Sequence, residues 1–479
     1  MPYSDSVVWA ASGEGKLRSW VPEIDHSRAT SPRNVRKSRR RSAVLAVSTA
    51  VMTILLVSIV AIMVPGDPVG SEFQVNTYTS DYQISPSVAL NASGECVVVW
   101  SSYRQDWGGY CVYVQLLDSL GQKVGSAFPA HNWSSDNQIN PDVAMGGGGN
   151  YSVVYQTTRD YQPGNGTYNN GIRQRFLSIS GQPMPDIPIY IGDSPDEYDP
   201  AVALRSEGFL QCATVWTEAD SDGGGEGIFG SLPWRWNESS VNTYTIGNQH
   251  SPSVAMDSDG NSIVVWCSDG QDGDSGGIFG QRFFADGNAS GPEFSVNTYV
   301  SGSQTQPSVA SDSSGNFVVV WSSYDQDGSD WGVYGQRFSM DGMKLGLEFR
   351  INTCTLGSQY QPSVAMSSTG EFVVVWTSAD QDASGSAVIG QRYYSDGTAV
   401  GSEFRINSYE TDDQSLPCVS LNGIGDFAVV WQSYGQDGDG WGIYGQLYNR
   451  APIPEFPAAV IPVAMTTVLL LALRKIRRS

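Results

Sequence analysis

The motif "PSVA" and its variants begin at Pro86, Pro141, Pro200, Pro252, Pro307, Pro362 and Pro417, at intervals of 55, 59, 52, 55, 55 and 55 residues. A period of this size marks a repeat architecture, in which each unit buries its apolar surface only against its neighbours. Four strand-like runs fall in each period. In the fifth unit they are "PSVAS", "NFVVVWSS", "GVYGQRF" and "LEFRINT". Turns rich in Gly, Asp and Ser separate them, such as "DSSGN" and "SMDGMKLG". The second run carries an aromatic in every unit: Trp100, Tyr155, Trp216, Trp266, Trp321, Trp376 and Trp431. Runs such as "VVVW" do not alternate polar with apolar, so such a strand is covered on both faces. Four short strands per unit, stacked face to face, predict the blades of an all-β propeller.

The seventh unit lacks its fourth strand. It supplies "LPCVS", "DFAVVWQS" and "WGIYGQLYN", then runs into "RAPIPEFP". The missing strand stands at the other end of the chain, where "SEFQVNT" (71–77) precedes the first unit. Its counterparts "PEFSVNT", "LEFRINT" and "SEFRINS" close later units. The predicted fold is therefore a seven-bladed β-propeller over 67–452, closed by an N-terminal fourth strand so that no open sheet edge remains. A solenoid would need polar caps at both ends, and none is visible. Units two and three are the most diverged, with "PDIPIYIG" in place of the fourth strand of unit two.

Both ends carry membrane signals. Residues 43–64 form 22 residues without a charge, preceded by "RNVRKSRRR". At about 1.5 Å per residue this spans a hydrocarbon core of roughly 30 Å. Residues 1–42 then form a basic cytoplasmic tail. An uncleaved anchor and a cleaved signal peptide both export the chain beyond residue 64. A second apolar run, 458–473, ends in "RKIRRS", and the segment 453–479 reads as a sorting signal or transmembrane helix with a basic tail. Net charge is −22 overall, but 65–453 holds 14 basic against 44 acidic residues. So acidic a body repels nucleic acid and suits cations or a salty exterior. The expected location is the cell membrane, with the propeller on the extracellular side.

Two resemblances bear on these segments. The tail beginning "IPEFP" resembles the PEF-type C-terminal sorting signals of archaeal surface proteins, which implies processing by an archaeosortase; a plain anchor is the other reading. The blades resemble secreted repeats of the "GNFVVVW…QDGxGxGIYGQRF…GSEFxVNTY" type in bacterial and archaeal surface and exported proteins, which are described as adhesive or have no assigned role, so the resemblance adds little about ligand. A weaker likeness links "SMDGMKLGLEF" to the turn of sialidase-type blades, without the aromatic pattern of that box. Arg175, Arg282, Arg337 and Arg392 recur in "QRF/QRY" and read as blade parts.

The loops between second and third strands share one face with the connections between blades, and long loops on a rigid scaffold are where binding usually lives. They include "SDGQDGDSGG" (268–277), "SSYDQDGSDWG" (322–332) and "QSYGQDGDGWG" (432–442). Three readings compete. Asp and Gly stabilise tight turns. Clustered Asp with loop carbonyls supplies the six to eight oxygens Ca²⁺ takes, with Asp272 and Asp274, Asp327 and Asp330, and Asp437 and Asp439 as candidate ligands. Trp107, Trp331 and Trp441, beside acidic residues, are candidate platforms for a carbohydrate.

Catalysis has little support. Only His26, His131 and His250 exist, and no nucleophile–base spacing, Walker loop or HExxH helix appears. Six cysteines show no metal spacing and no disulfide framework. The function expected is an adhesion or cell-envelope interaction module, tethered by its terminal helices, with calcium as a candidate stabiliser and a protein or glycan as ligand. The alternative is a propeller-type carbohydrate-active enzyme, glycosidase-like.

Overall fold

The computed structural model describes residues 68–450 except 107–108, 131–136, 162–167, 180–195, 206–210, 221–222, 234–237 and 383. The two apolar segments and "PDIPIYIG" lie outside the described residues. Among the described residues every element is a strand, and no helix is long and apolar enough to cross a membrane. The strands form seven antiparallel sheets, six of four strands and one of three. Blades one to six occupy 83–129, 137–178, 197–240, 249–295, 304–350 and 359–405. Blade seven combines 414–448 with 68–74. The first strands neighbour one another around the ring, and that of blade seven lies beside that of blade one. The protein is a closed seven-bladed β-propeller.

Burial on both faces explains the apolar runs. In blade five, Phe317 to Ser323 of the second strand are all buried. Alternate residues of that run serve different interfaces: Phe317, Val319 and Trp321 pack with Ile263 and Val265 of blade four, while Val318 and Val320 pack with Phe372, Val374 and Trp376 of blade six. Each such side chain contributes roughly 1.5–3 kcal/mol relative to exposure. The six tryptophans of the second strands are fully buried, and Tyr155 takes the same place in blade two.

The innermost strands are laced across blade boundaries. Ser253 Oγ accepts from Val309 N, Ser308 Oγ from Val364 N and Ser363 Oγ from Val419 N, each at 3.2 Å. Blade two carries Asp142 at this position. Its carboxylate accepts from Val202 N at 2.9 Å on one side and from Ser87 Oγ at 2.8 Å on the other. Burial holds Asp142 above its ordinary range, against the lowering effect of those hydrogen bonds.

The strand Pro68–Gln74 pairs antiparallel with Trp441–Tyr448 and completes blade seven. It makes the contacts its counterparts make elsewhere. Phe349 of blade five packs over Gly335, where a Cβ would come within 3.2 Å of the ring; Phe73 packs over Gly445 with 3.1 Å available. Glu348 accepts from Thr298 N and Oγ1 of blade four and from Gln326 Nε2 of its own blade. Glu72 accepts in the same way from Ser408 N and Oγ of blade six and from Gln436 Nε2 of blade seven. Asn76 Oδ1 accepts from Ile443 N at 2.8 Å and its Nδ2 donates to Gln83 Oε1 at 3.0 Å, as Asn352 does with Val333 and Gln359. The strand closes the ring with the repeat's own chemistry, supplied from the N-terminal end.

Candidate functional site

The pairing fixes which groups share a face. Gln304 opposes Ser323, so the start of a first strand lies beside the end of the second. The second-to-third hairpins and the connections between blades therefore occupy one face, and the third-to-fourth turns occupy the other. Pro68 pairs with Tyr448, so both ends of the ordered ring leave on the third-to-fourth face.

On the hairpin face, the six predicted aspartates fall into two kinds. Asp272, Asp327 and Asp437 are half-buried, and each carboxylate accepts from the Asn of its own fourth strand: Asn297 at 3.4 Å, Asn352 at 3.2 Å and Asn76 at 3.2 Å. Asp382 does the same with Asn407 at 3.0 Å in blade six. Each Asn thus joins hairpin, fourth strand and the Gln that opens the next blade. Asp274, Asp330 and Asp439 are exposed. Asp274 Oδ2 accepts from Gly302 N at 3.0 Å, and Asp439 Oδ2 from Asp81 N at 3.1 Å, which ties the last hairpin to the first inter-blade connection. Asp330 accepts through its backbone carbonyl from Asp325 N at 2.7 Å.

Trp331 and Trp441 are half-buried at the start of their third strands, and Trp107 lies outside the described residues. Each described Trp has a tyrosine partner across the hairpin. Tyr324 and Trp331 meet edge to face with centroids 5.3 Å apart, as do Tyr434 and Trp441. Tyr324 is 44% and Tyr434 42% exposed. In blade one Tyr103 and Tyr110 pair at 4.8 Å, with the Arg104 guanidinium 4.7 Å over Tyr103. Sequence reasoning missed the tyrosines. The signal was their fixed place at the end of the second run, where antiparallel pairing puts them opposite the Trp.

The ring encloses a cavity of about 390 Å³. Every blade lines it with the proline of "PSVA" and the residue before it: Ser85, Asn140, Asp199, Ser251, Gln306, Gln361 and Leu416. All seven of those residues have φ between 49° and 56°. A left-handed backbone costs a non-glycine residue about 1–3 kcal/mol, and each sits at a bulge in its first strand, where the extra residue bends the chain. The strain is repaid in part across blades. Gln361 N donates to Gln306 Oε1 and Ser322 Oγ, both at 3.2 Å, and Leu416 N donates to Thr377 Oγ1 at 3.2 Å. Among the described lining residues Asp199 alone carries a carboxylate. Burial raises it, and the nearby His250 and a hydrogen bond from Asn140 work in the opposite sense.

Arg282 Nη1 donates to Met340 O of the next blade at 2.7 Å, Arg337 reaches Asp396 O of the next, and Arg175 reaches Ala130 O at 2.9 Å. The Arg392 guanidinium lies 5.7 Å over the Phe427 ring. The repeat arginines are joints between blades, as their recurrence predicts. All six cysteines are unpaired. Two clusters bring three ligand-type atoms within 4.8 Å of one another: His250, Cys267 and Asp269 in blade four, and Glu197, Glu218 and Glu238 in blade three. In the first, Cys267 Sγ already donates to Gln304 O at 3.3 Å and burial pushes the thiol up to about 12. In the second, burial pushes Glu197 and Glu238 well above the ordinary carboxyl range, and a hydrogen bond and charge from Glu218 raise Glu238 further.

No protein-family model matches the chain, and no curated protein matches it. Solved structures are similar in fold. A protein of unknown function from Dyadobacter fermentans aligns with TM-score 0.49 and 10% identity, over 81% of this chain and 100% of that one. The NanB sialidase of Streptococcus pneumoniae aligns with TM-score 0.45 and 9% identity, over 80% and 71%. An α-L-arabinanase from Penicillium chrysogenum aligns with TM-score 0.42 and 10% identity, over 79% and 98%. The likeness is one of fold.

Proposed function

We propose that this protein is an exported, membrane-tethered propeller that binds a neutral, hydroxyl-rich ligand of the glycan class on its hairpin face. The observation that carries the reading is the set of aromatic pairs Tyr103–Tyr110, Tyr324–Trp331 and Tyr434–Trp441 on that one face. Aromatic rings held by hairpins stack on the apolar faces of sugars at little entropic cost. The cavity lining of amides, hydroxyls and prolines suits the same ligand class, since it offers hydrogen bonds and little charge. Both ordered ends leave from the opposite face, so apolar segments attached there turn the aromatic pairs away from the bilayer. Hydrolysis of a glycosidic bond takes two carboxyl groups roughly 5–9.5 Å apart across the sugar. Exposed carboxylates, among them Asp274, Asp330 and Asp439, lie on the same face, so the binding test is paired with one for hydrolysis.

The test applies the purified full chain in detergent to a glycan array, with a hydrolysis screen on the same sugars. Binding without turnover is expected. Replacing Tyr324, Trp331, Tyr434 and Trp441 by Ala should weaken it about tenfold or more, the loss of two stacking contacts of about 0.5–1.5 kcal/mol each. Turnover of any bound glycan, or undiminished binding by the variant, overturns the reading.

A further inference from the structure

Blade three departs from the repeat at three positions that meet in space. The residue three before the first-strand proline is Gln in the other six blades, from Gln83 to Gln414, and Glu197 here. Its cross-strand partner is Ser in five of them and Thr157 in blade two, and here it is Glu218. The third residue, Glu238, holds the place of Glu293 and Glu348. Those two are occupied by Gln271 and Gln326 of the "QDG" hairpins, and the blade-three hairpin "EADSDGGGEG" has no Gln to offer.

Carboxylate oxygens of the three residues lie within 4.8 Å of one another. Glu197 and Glu218 are each 1% exposed. Glu197 Oε2 accepts from Ile172 N at 2.9 Å, taking the part that a fourth-strand Asn plays in regular blades. Glu197 Oε1 and Glu218 Oε2 are buried without a partner. Arg173 is near enough to offset part of the charge on Glu197, by less than burial opposes it. Among the described residues Arg173 acts on Glu197, and Glu238 feels Glu218 but no cation. Buried oxygens left in this state cost several kcal/mol per charge unless a proton or a cation joins them.

We propose that Glu197, Glu218 and Glu238 bind a divalent cation of the Ca²⁺ type. The donor set is oxygen only, which suits a hard cation and not zinc. Oxygens bound to one Ca²⁺ at about 2.4 Å stand no more than about 4.8 Å apart, so three carboxylates whose oxygens all lie within that limit can share one ion. Three carboxylates supply up to six oxygens without regular octahedral geometry, a condition Ca²⁺ accepts and Mg²⁺ resists. The ion takes the place of the Asn–Gln–Asp network at the boundary of blades two and three, where the repeat is most diverged. The site lies at the hairpin-face end of blade three, on a different blade from the aromatic pairs of blades one, five and seven.

The experiment uses the purified full chain, stripped with EDTA and dialysed, and reads Ca²⁺ binding by calorimetry and melting with Ca²⁺ or Mg²⁺ at matched ionic strength. The double variant Glu197→Gln with Glu218→Ser installs what other blades hold, so it keeps the fold. It should bind one Ca²⁺ fewer and lose the Ca²⁺-dependent rise in melting temperature. Glu238→Gln, at the surface, should weaken Ca²⁺ at least tenfold and leave melting in EDTA unchanged. Asp272→Ala with Asp274→Ala should keep this Ca²⁺ site. Equal Ca²⁺ binding by the wild type and the blade-three variants, loss of it only in the Asp272/Asp274 variant, or no binding beyond that of Mg²⁺ would each overturn the assignment.

Discussion

Deleting residues 70–83 from the full chain should lower the melting temperature by about 6 °C or more and drive association into dimers or larger species. The segment carries Val75, fully buried between blades, and the buried amides of Asn76 and Gln83. Removing it leaves Ile443 N without its acceptor and Gln436 and Ser408 without Glu72. Ile443 N and the part-buried Gln436 each cost about 1–3 kcal/mol when left unpaired, the exposed Ser408 little, and Val75 adds about 1.5–3. A total near 5 kcal/mol corresponds to about 6 °C for a ring of this size, whose unfolding entropy is about 0.8 kcal/mol/K. The exposed edge of Trp441–Tyr448 then becomes a template for another chain. Scanning calorimetry and light scattering read both effects. Unchanged melting with a monomeric state would mean that the ring does not depend on this strand.

Asn352→Ala should destabilise the chain by about 3–5 kcal/mol, far beyond its loss of volume. Asn352 satisfies Val333 N, Cys354 O, Gln359 Oε1 and the Asp327 carboxylate at once. Its side chain is buried, so water does not replace it without rearrangement. With about 1–3 kcal/mol for each group left unpaired, two or three such groups account for the estimate. Asp330→Ala, at an exposed position in the same hairpin, should cost less than about 0.5 kcal/mol. Chemical denaturation of both variants gives the comparison. Similar small effects in both would reduce the "QDG…VNT" pattern to turn preference alone.

The blades were legible because period and burial are local properties of the sequence. "NFVVVWSS" announces a strand covered on both sides, and Trp321 is fully buried as that run requires. The displaced strand was legible because "SEFQVNT" repeats motifs whose usual place is known from units four to six. The contacts those motifs make were not legible. Glu348 and Thr298 are 50 residues apart and in different blades, and their contact arises only from the stacking of sheets. The "QDG" aspartates show the same limit: spacing offers clustered carboxylates, while the fold assigns Asp327 to an Asn and Asp439 to the next connection. The cavity-lining bulges could not be read from residue type, since Ser85, Gln306 and Leu416 have no common preference for positive φ. The blade-three glutamates carried a readable signal, a Gln replaced by Glu in "DEYDPAVA". Its meaning needed the cross-strand partner Glu218 and the surface residue Glu238.

The orientation of the ring is tested most directly by cysteine labelling of intact cells. With the six native cysteines replaced, Asp330→Cys places a thiol on the hairpin face of blade five and Met343→Cys places one in the third-to-fourth turn of the same blade. Both positions are exposed, Met343 at 68%. If the apolar segments beyond the ordered ends hold the ring to a bilayer, as proposed, a membrane-impermeant maleimide should modify the cysteine at 330 readily and that at 343 more slowly, because both ordered ends leave on the side of 343. Faster reaction at 343, or no reaction at either position, would contradict an exported propeller that presents its aromatic face to the surroundings.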